Sequence, residues 1–380
     1  MLFLCGLSAF LVAYGGSVLF LALPAISADF HAPLPALSNL GSVLAVGVLA
    51  ALPLSVAADR YGRRRLIAAG VGGFSIANLL SGFAQDLTGL AVARAVAVAF
   101  EAAVGGVATT LLVEELPAER RGLGVGVLTL AAGMGGGLTT VAYPLVAPRW
   151  RLLYVAGGAG LLAVPLLLAR LPESRRWRST TAAGPVLRLL WQPPWRRRLL
   201  VLAISAALGA LLYEPAALFG ALFASRVGLP PPAISVVVVL SGIAAGAGFL
   251  AGGWASDRRG RRALAAWLSF AGASAAAATF GFGAAGYWAG NLAWSLLAGA
   301  AGPVIAAWLA ELFPTRARAT SEAVASVAAA IGGVAGLQLL AAIAAATGLG
   351  RALVLLSAAA LAGALLLLLL PETRRLPLPD

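Results

Sequence analysis

The chain consists of long apolar runs separated by short polar or arginine-rich breaks. A helix needs about 20 mostly apolar residues to cross a membrane. Cutting the sequence at charged residues and at Pro/Gly-marked breaks predicts twelve spans of that length. They lie at about 2–27, 38–58, 66–85, 87–111, 122–145, 151–170, 199–224, 233–254, 263–284, 287–309, 320–346 and 350–370. We therefore predict an all-α integral membrane protein with twelve transmembrane helices.

The composition supports a membrane protein. Hydrophobic residues make up 61% of the 380 residues, charged residues only 11%, and the mean hydropathy is +0.94. A soluble domain is about half apolar and about a quarter charged, so a water-soluble fold is excluded. The first apolar run lacks a basic leader and is longer than a signal-peptide core. We interpret it as a membrane helix.

The basic residues indicate topology. The net charge is +13, and all 27 basic residues are arginine. Such a charge can indicate nucleic-acid binding, but here most arginines cluster between alternate spans, as the positive-inside rule requires. We predict no nucleic-acid partner, a multi-pass protein with both termini cytoplasmic and, from the Ala-, Gly- and Arg-rich composition, a bacterial inner (plasma) membrane. With one cysteine (Cys5) and one histidine (His31), we expect no metal site and no cofactor.

Three charged phrases occur twice. "AADRYGRRRL" (57–66) recurs as "ASDRRGRRAL" (255–264), "EELPAERRG" as "ELFPTRARA", and "LPESRR" as "LPETRR", each about 198 residues later. Repeats of six spans each have the same orientation in the membrane, so this is a parallel repeat. We predict four regions: an N-terminal six-helix bundle at 1–170, a cytoplasmic linker at 171–198, a C-terminal bundle at 199–370 and a tail at 371–380.

The doubled phrase resembles the loop motif G-x-x-x-D-R-x-G-R-R of the major facilitator superfamily. The second half matches every position, whereas Ser55 replaces the first glycine in the first half. The resemblance implies two six-helix bundles that alternate access to a central cavity. It also implies a cytoplasmic gate that holds the halves together while the cavity faces outward. The residues assigned to this gate are Asp59, Arg60, Gly62, Arg63, Arg64, Glu115, Arg121, Asp257, Arg258, Gly260, Arg261, Glu311 and Arg318.

Ionisable residues inside a predicted span are costly and need an explanation. Arg94 and Glu101 lie seven residues apart in the fourth span, on one helix face and about 10 Å apart along the axis. The stretch "RAVAVAFEA" is similar to the fourth helix of anion:cation symporters and spinster-like transporters, in which a glutamate follows the cavity arginine by seven residues. This implies substrate or proton-relay contact for Arg94 and proton coupling for Glu101. A helix–helix hydrogen bond is the structural alternative.

The seventh span carries a further acid, Glu214, before Pro215. This glutamate is a second candidate for cavity contact, or has a structural role at a proline kink. Glu322 has a simpler explanation, a carboxylate near a helix N-terminus. Placement by helix number alone adds further cavity candidates, most of which could equally be packing residues: Tyr14, Tyr143, Tyr213, Phe219, Asn291, Trp294 and Gln338.

Two subfamilies share features with the chain. "ALPAISADF" with "DRYGRRR" looks like drug:proton antiporters, although Gly15 stands where their first-helix acid would be. "LPESRRW", "GPVIAAWLAELFPTR" and "LPETRR" look like sugar porters and related metabolite transporters, but Ala306 replaces the sugar porters' tryptophan. The sequence contains no nucleotide-binding loop of the kind that a primary pump would have, so a primary pump is excluded. A membrane enzyme or a receptor is disfavoured.

We expect a secondary active transporter of a small organic metabolite or ion. Its partners would be that small-molecule substrate, a coupling proton and the lipid bilayer, and a monomer would be sufficient. The alternatives left open are a proton-coupled multidrug efflux antiporter and an uncoupled facilitator.

Overall fold

The computed structural model describes residues 1–49, 53–54, 61–115, 121–173, 190–313 and 318–373. Twelve long helices lie within these ranges. They are α1 (Leu2–Asp29), α2 (Leu34–Leu49), α3 (Arg63–Gly82), α4 (Leu87–Glu115), α5 (Arg121–Val146), α6 (Arg151–Arg170), α7 (Trp195–Arg226), α8 (Pro231–Arg259), α9 (Arg262–Gly281), α10 (Gly283–Leu312), α11 (Arg318–Thr347) and α12 (Leu349–Leu366).

Eleven of these helices are long and apolar enough to cross a membrane. The exception among the described residues is α2, whose apolar part Leu34–Ala45 is shorter; the predicted span at 38–58 lies partly outside the described residues. The all-α membrane architecture predicted from the apolar runs is thereby confirmed.

One helix begins earlier than its apolar run. The structure starts α7 at Trp195, whereas the apolar pattern predicts a start at about 199. The additional turn is arginine-rich. Arg198 donates from Nη1 to the carbonyl of Leu312 (2.8 Å), and its guanidinium lies 4.8 Å from the Trp195 ring centroid. Long arginine side chains can extend toward polar surroundings, so the helix can continue beyond the apolar segment.

The sixth span is not uniformly α-helical. Residues Gly158–Ala163 form a 3₁₀ stretch in the middle of α6. Here α6 packs closely on α3, because a Cβ at Gly158 would overlap the Leu79 side chain and one at Gly160 would overlap the Ser75 hydroxyl. Apolar periodicity does not reveal this change of winding, which often marks a functional or strained part of a helix.

The chain divides into two compact units, Met1–Thr181 and Ala182–Asp380. In the first unit α1 packs on α5, α4 packs on α2 and α3, and α3 packs on α6. The second unit repeats this pattern: α7 packs on α11, α10 on α8 and α9, and α9 on α12. The same six-helix packing therefore occurs in each unit, as a sequence repeat would produce.

Glycines allow several of these helix pairs to approach closely. In the second unit, a Cβ at Gly248 or Gly252 of α8 would overlap the carbonyl oxygens of Leu296 or Ala300 in α10. In the first unit, Gly135 of α5 lies similarly against the carbonyl of Phe10 in α1. Small residues at such positions are typical of membrane helix packing, where close backbone approach replaces the hydrophobic effect.

Candidate functional site

A buried arginine lies among three helices of the first unit. The Arg94 side chain in α4 is only 1% exposed. Its Nη1 donates a 2.9 Å hydrogen bond to Oδ1 of Asn78 in α3, and its guanidinium carbon lies 5.3 Å from the ring centroid of Tyr154 in α6. Three helices therefore position one charged group, partly through a cation–π contact.

Three polar atoms of this group are buried without a partner among the described residues. They are Nε of Arg94, Nδ2 of Asn78 and the hydroxyl of Tyr154. Buried polar groups are normally hydrogen-bonded, so three open ones together indicate an additional partner. Each of the three can donate a hydrogen bond. The arrangement therefore suits an acceptor, such as a carboxylate or a water molecule.

Glu101 lies two turns along α4 from Arg94, on the same helix face. Its carboxylate lies directly against Gly16 of α1, since a Cβ at Gly16 would overlap the carboxyl group. Glu101 is partly exposed and accepts no hydrogen bond from the described residues, and Arg94 attracts its negative charge. The structure thus places both predicted residues in one electrostatically linked region; their roles remain predictions.

Helix α1 closes this region on one side. Gly15 lies against the Asn78 amide, where a Cβ would be within 2.9 Å of its Oδ1. The Tyr14 hydroxyl donates to the carbonyl of Leu153 in α6 at 3.2 Å, and Thr139 Oγ1 donates to the carbonyl of Tyr14 at 2.7 Å. Tyr14, a predicted cavity residue, thus ties α1 to α5 and α6 in this structure.

Two predicted cavity residues of the second unit form an aromatic pair. The Tyr213 ring of α7 lies 5.6 Å from the Trp294 ring of α10, inclined at 33°. Glu214 is exposed, and its side chain lies against Gly333 of α11. Asn291 is partly buried one turn before Trp294. Among the remaining candidates, Tyr143 and Phe219 are buried, whereas Gln338 and Glu322 are exposed.

A carboxylate near the end of the first unit caps α3, the helix that begins within the first charged phrase. Gly62 adopts a positive φ of 101° as the residue before the helix. The backbone N–H groups of Arg63 and Arg64 then donate to Oε1 of Glu173, at 2.7 and 3.2 Å. A carboxylate at a helix N-terminus satisfies free N–H groups and is favoured by the helix dipole.

The second charged phrase has the same arrangement. Gly260 has φ of 92°, and the N–H groups of Arg261 and Arg262 donate to the Glu372 carboxylate at 3.0 Å. Glu173 and Glu372 occupy equivalent positions in "LPESRR" and "LPETRR". Our sequence analysis found this repeat but assigned the glutamates no role; the recurrence of "LPE" at the end of each half was the available signal.

Arg261 also links the phrase to the end of α10. Its Nε donates to Oε2 of Glu311 at 2.6 Å, its Nη1 donates to the Ser256 hydroxyl at 2.8 Å, and Thr373 donates to the same Glu311 oxygen at 2.6 Å. Glu311 and Arg261, both assigned to the gate, therefore contact each other directly.

The other gate residues are described to different extents. Arg258 lies 4.0 Å from the Trp254 ring centroid, and Glu115 is partly buried at the end of α4. Five further gate residues are not fully described. Asp59 and Arg60 lie outside the described residues. Arg121, Asp257 and Arg318 lie within helices, but the structure does not describe their side chains.

Two family models match the chain. The model of the Major Facilitator Superfamily matches residues 5–230, and that of the sugar (and other) transporters matches 178–380. Among solved structures, a bacterial homologue of the human lysosomal transporter spinster aligns over 97% of this chain and 95% of its own (TM-score 0.81, 17% identity). A D-xylose-proton symporter aligns over 98% of both chains (TM-score 0.81, 17% identity). At these identities the similarity concerns the fold.

Individual relatives match shorter regions. The gallate transporter of Pseudomonas putida is 38% identical over 138 residues, which are 35% of this chain and 30% of that protein. The 3-(3-hydroxy-phenyl)propionate transporter of Escherichia coli is 30% identical over 162 residues, covering 41% and 40% of the two chains. The puromycin resistance protein pur8 of Streptomyces alboniger is 36% identical over 181 residues, covering 44% and 34%. The chain thus covers less than half the length of each relative.

Proposed function

The chain belongs to the Major Facilitator Superfamily, whose model matches more than half of it, and from that premise we propose that it is a proton-coupled secondary transporter of a small organic anion. The proposed location is the inner membrane of a bacterium, with both termini in the cytoplasm. The observation that carries the proposal is the buried Arg94 together with three donor atoms, of Arg94, Asn78 and Tyr154, that have no hydrogen-bond partner among the described residues.

Arg94 is the proposed anion-binding residue. A guanidinium inside a membrane protein is costly unless it is paired, and Arg94 has one described hydrogen bond, to the neutral Asn78. Its planar fork suits a carboxylate, with which it can form strong charge-assisted hydrogen bonds. Asn78 Nδ2 and the Tyr154 hydroxyl provide two further donors. Gallate and 3-(3-hydroxyphenyl)propionate, named for two relatives, are both carboxylates.

Glu101 is the proposed proton carrier. A bound anion neutralises Arg94 and so weakens the attraction between Arg94 and the negative charge of Glu101. At about 10 Å and an effective dielectric constant of about 20, that attraction amounts to about 1.5 kcal/mol. Anion binding therefore favours proton uptake by Glu101. In this mechanism the anion and the proton cross together, and an inward proton gradient drives import.

Purified protein in liposomes that contain a pH-sensitive dye tests this mechanism. Gallate and 3-(3-hydroxyphenyl)propionate are added outside, first singly and then within a pool of other organic anions. We expect anion-dependent acidification of the lumen, which Glu101→Gln abolishes. Arg94→Lys keeps the charge but loses the fork, so the half-saturating anion concentration should rise about tenfold or more. Glu322→Gln, at an exposed glutamate of α11, is the matched control and should leave transport unchanged.

The same liposomes distinguish the alternatives. The similarity to a puromycin resistance protein favours proton-coupled drug export as a second candidate. In that case puromycin, rather than an anion, would move protons, and in the opposite direction. Labelled anion flux without acidification would identify an uncoupled facilitator. An acidification that Glu101→Gln leaves intact would contradict the role of Glu101 and transfer it to Glu214.

A further inference from the structure

The second unit contains a continuous series of aromatic ring contacts, which we call the aromatic cluster: Tyr213, Phe223, Phe280, Tyr287 and Trp294. Phe223 lies 5.2 Å from Phe280 and 6.2 Å from Tyr287, measured between ring centroids. Phe280 lies 6.3 Å from Trp294, which in turn lies 5.6 Å from Tyr213. The cluster thus joins α7, α9 and α10.

The cluster is buried at one end and exposed at the other, which we call its open end. Phe223, Phe280 and Tyr287 are buried, whereas Tyr213 is 37% exposed. Gly350 of α12 lies against the buried end, where a Cβ would come within 2.8 Å of the Phe223 ring and 2.9 Å of the Phe280 carbonyl. The buried rings support Trp294 and, through it, the exposed Tyr213 ring.

Three polar groups belong to the open end or to residues near it in the same helices. Trp294 Nε1 is buried and makes no hydrogen bond of normal geometry to a described residue, although the Tyr213 side chain lies beside it. The Asn291 side chain, one turn away, has no hydrogen bond to the described residues either. Glu214, next to Tyr213, is exposed. A carboxylate exposed to hydrocarbon would be costly, which favours water and not lipid beside Glu214.

We propose that the open end of the aromatic cluster binds the ring of an aromatic substrate, with Tyr213 and Trp294 stacking on the ring and Asn291 available to its polar substituents. This inference rests on the proposed function and narrows the cargo to aromatic organic anions. Aromatic rings prefer offset-stacked or edge-to-face contacts, which favour an aromatic ligand over a saturated ring of similar size. A cluster that served packing alone would need neither the exposed ring nor the open indole N–H.

The test uses two matched pairs of probes and the full-length chain in lipid nanodiscs, with binding measured by NMR titration. Benzoate is compared with cyclohexanecarboxylate, and benzyl alcohol with cyclohexylmethanol. We expect each aromatic probe to bind about two- to tenfold more tightly than its saturated partner. Trp294→Leu should reduce both ratios to about one, whereas Trp294→Phe should retain a preference. Trp267→Leu, at an exposed tryptophan of α9, is the control and should change neither ratio.

The neutral pair separates this inference from the proposed function. If benzyl alcohol bound more tightly than cyclohexylmethanol, but the carboxylates bound no more tightly than the alcohols, the result would support the aromatic site and contradict anion binding. Binding of both carboxylates with equal affinity would support anion binding and overturn the aromatic site. Ratios that Trp294→Leu and Tyr213→Leu leave unchanged would also overturn it, as would no binding of any probe.

Discussion

Gly16 of α1 lies directly against the carboxylate of Glu101 in α4, so closely that a Cβ at residue 16 would come within 2.8 Å of the carboxyl carbon. The preceding residue, Gly15, lies in the same way against the amide of Asn78. Two consecutive glycines in one helix therefore provide the space that two polar side chains of α3 and α4 occupy. The position of Glu101 depends on a residue that carries no side chain.

Gly16→Ala should displace Glu101 with little loss of stability. The overlapping group is the end of a flexible side chain, so the carboxylate can move away while the backbones stay in place. We expect thermal unfolding within a few degrees of the parent and a loss of most anion-dependent proton movement in liposomes. Gly105→Ala in α4, where a Cβ would meet nothing within 4 Å, is the control. Proton movement equal to that of the parent would show that the position of Glu101 is unimportant for coupling.

Two substitutions of Asn78 should separate stability from anion binding. Asn78→Ala removes the described hydrogen bond of the buried Arg94 and should lower the free energy of unfolding by about 1.5–3 kcal/mol. Asn78→Asp keeps the shape and the acceptor but neutralises the guanidinium. It should restore much of that stability and weaken anion binding about tenfold or more.

Chemical denaturation and anion titration measure these two effects. Gln85→Ala removes an exposed amide that donates to the Phe83 carbonyl and should change the free energy of unfolding by less than about 0.5 kcal/mol. If Asn78→Asp bound anions as tightly as the parent, the charge of Arg94 would not be what recognises them.

The helices were predictable from the sequence because membrane spans follow from length and hydropathy alone. The winding of α6 was not, because the 3₁₀ stretch at Gly158–Ala163 depends on close packing against α3. The early start of α7 was missed for a related reason. Arg198 is compatible with a helix once it can donate to the Leu312 carbonyl at the end of α10, and that contact is tertiary.

The charged residues of the site were predictable, but their partners were not. Arg94 and Glu101 stand out because few charges lie within spans. Asn78 and Tyr154 belong to other helices and resemble ordinary span residues until the packing of α3 and α6 on α4 is known. The position of Glu173, in contrast, could have been predicted, because the repeated "LPE" phrase marks it in the sequence.

The two capping glutamates should contribute to stability independently. Glu173→Ala and Glu372→Ala each leave helix N–H groups without their carboxylate and should cost about 0.5–2 kcal/mol. The glutamine variants keep an acceptor and lose only the charge, so they should cost about half as much. Because the described helix N–H groups that the two carboxylates accept from belong to different helices, the double variant should show the sum of the single losses. Denaturant titration of the parent and the five variants measures this, and a strongly non-additive double variant would contradict independent caps.

Gly260 should be more sensitive to substitution than another glycine with the same backbone conformation. Gly260 and Gly348 have φ of 92° and 84° with ψ of 172° and 161°, a region that is essentially restricted to glycine. Alanine at either position should cost about 1–3 kcal/mol in strain. At Gly348 the added Cβ would meet nothing within 4 Å, whereas at Gly260 it would lie 2.9 Å from Oε2 of Glu372. The alanine at Gly260 should therefore also displace the cap of α9.

A double-mutant cycle isolates that second cost. Gly260→Ala should destabilise the parent by about 0.5–2 kcal/mol more than Gly348→Ala does, which is the contribution of a lost cap. In the Glu372→Ala background no cap is left to displace, so the two glycine substitutions should become equal in cost. The measurement is the denaturation midpoint of each single and double variant. If Gly260→Ala still cost more than Gly348→Ala in the Glu372→Ala background, backbone strain at the turn would explain the difference. The close approach of the Glu372 carboxylate would then not contribute to it.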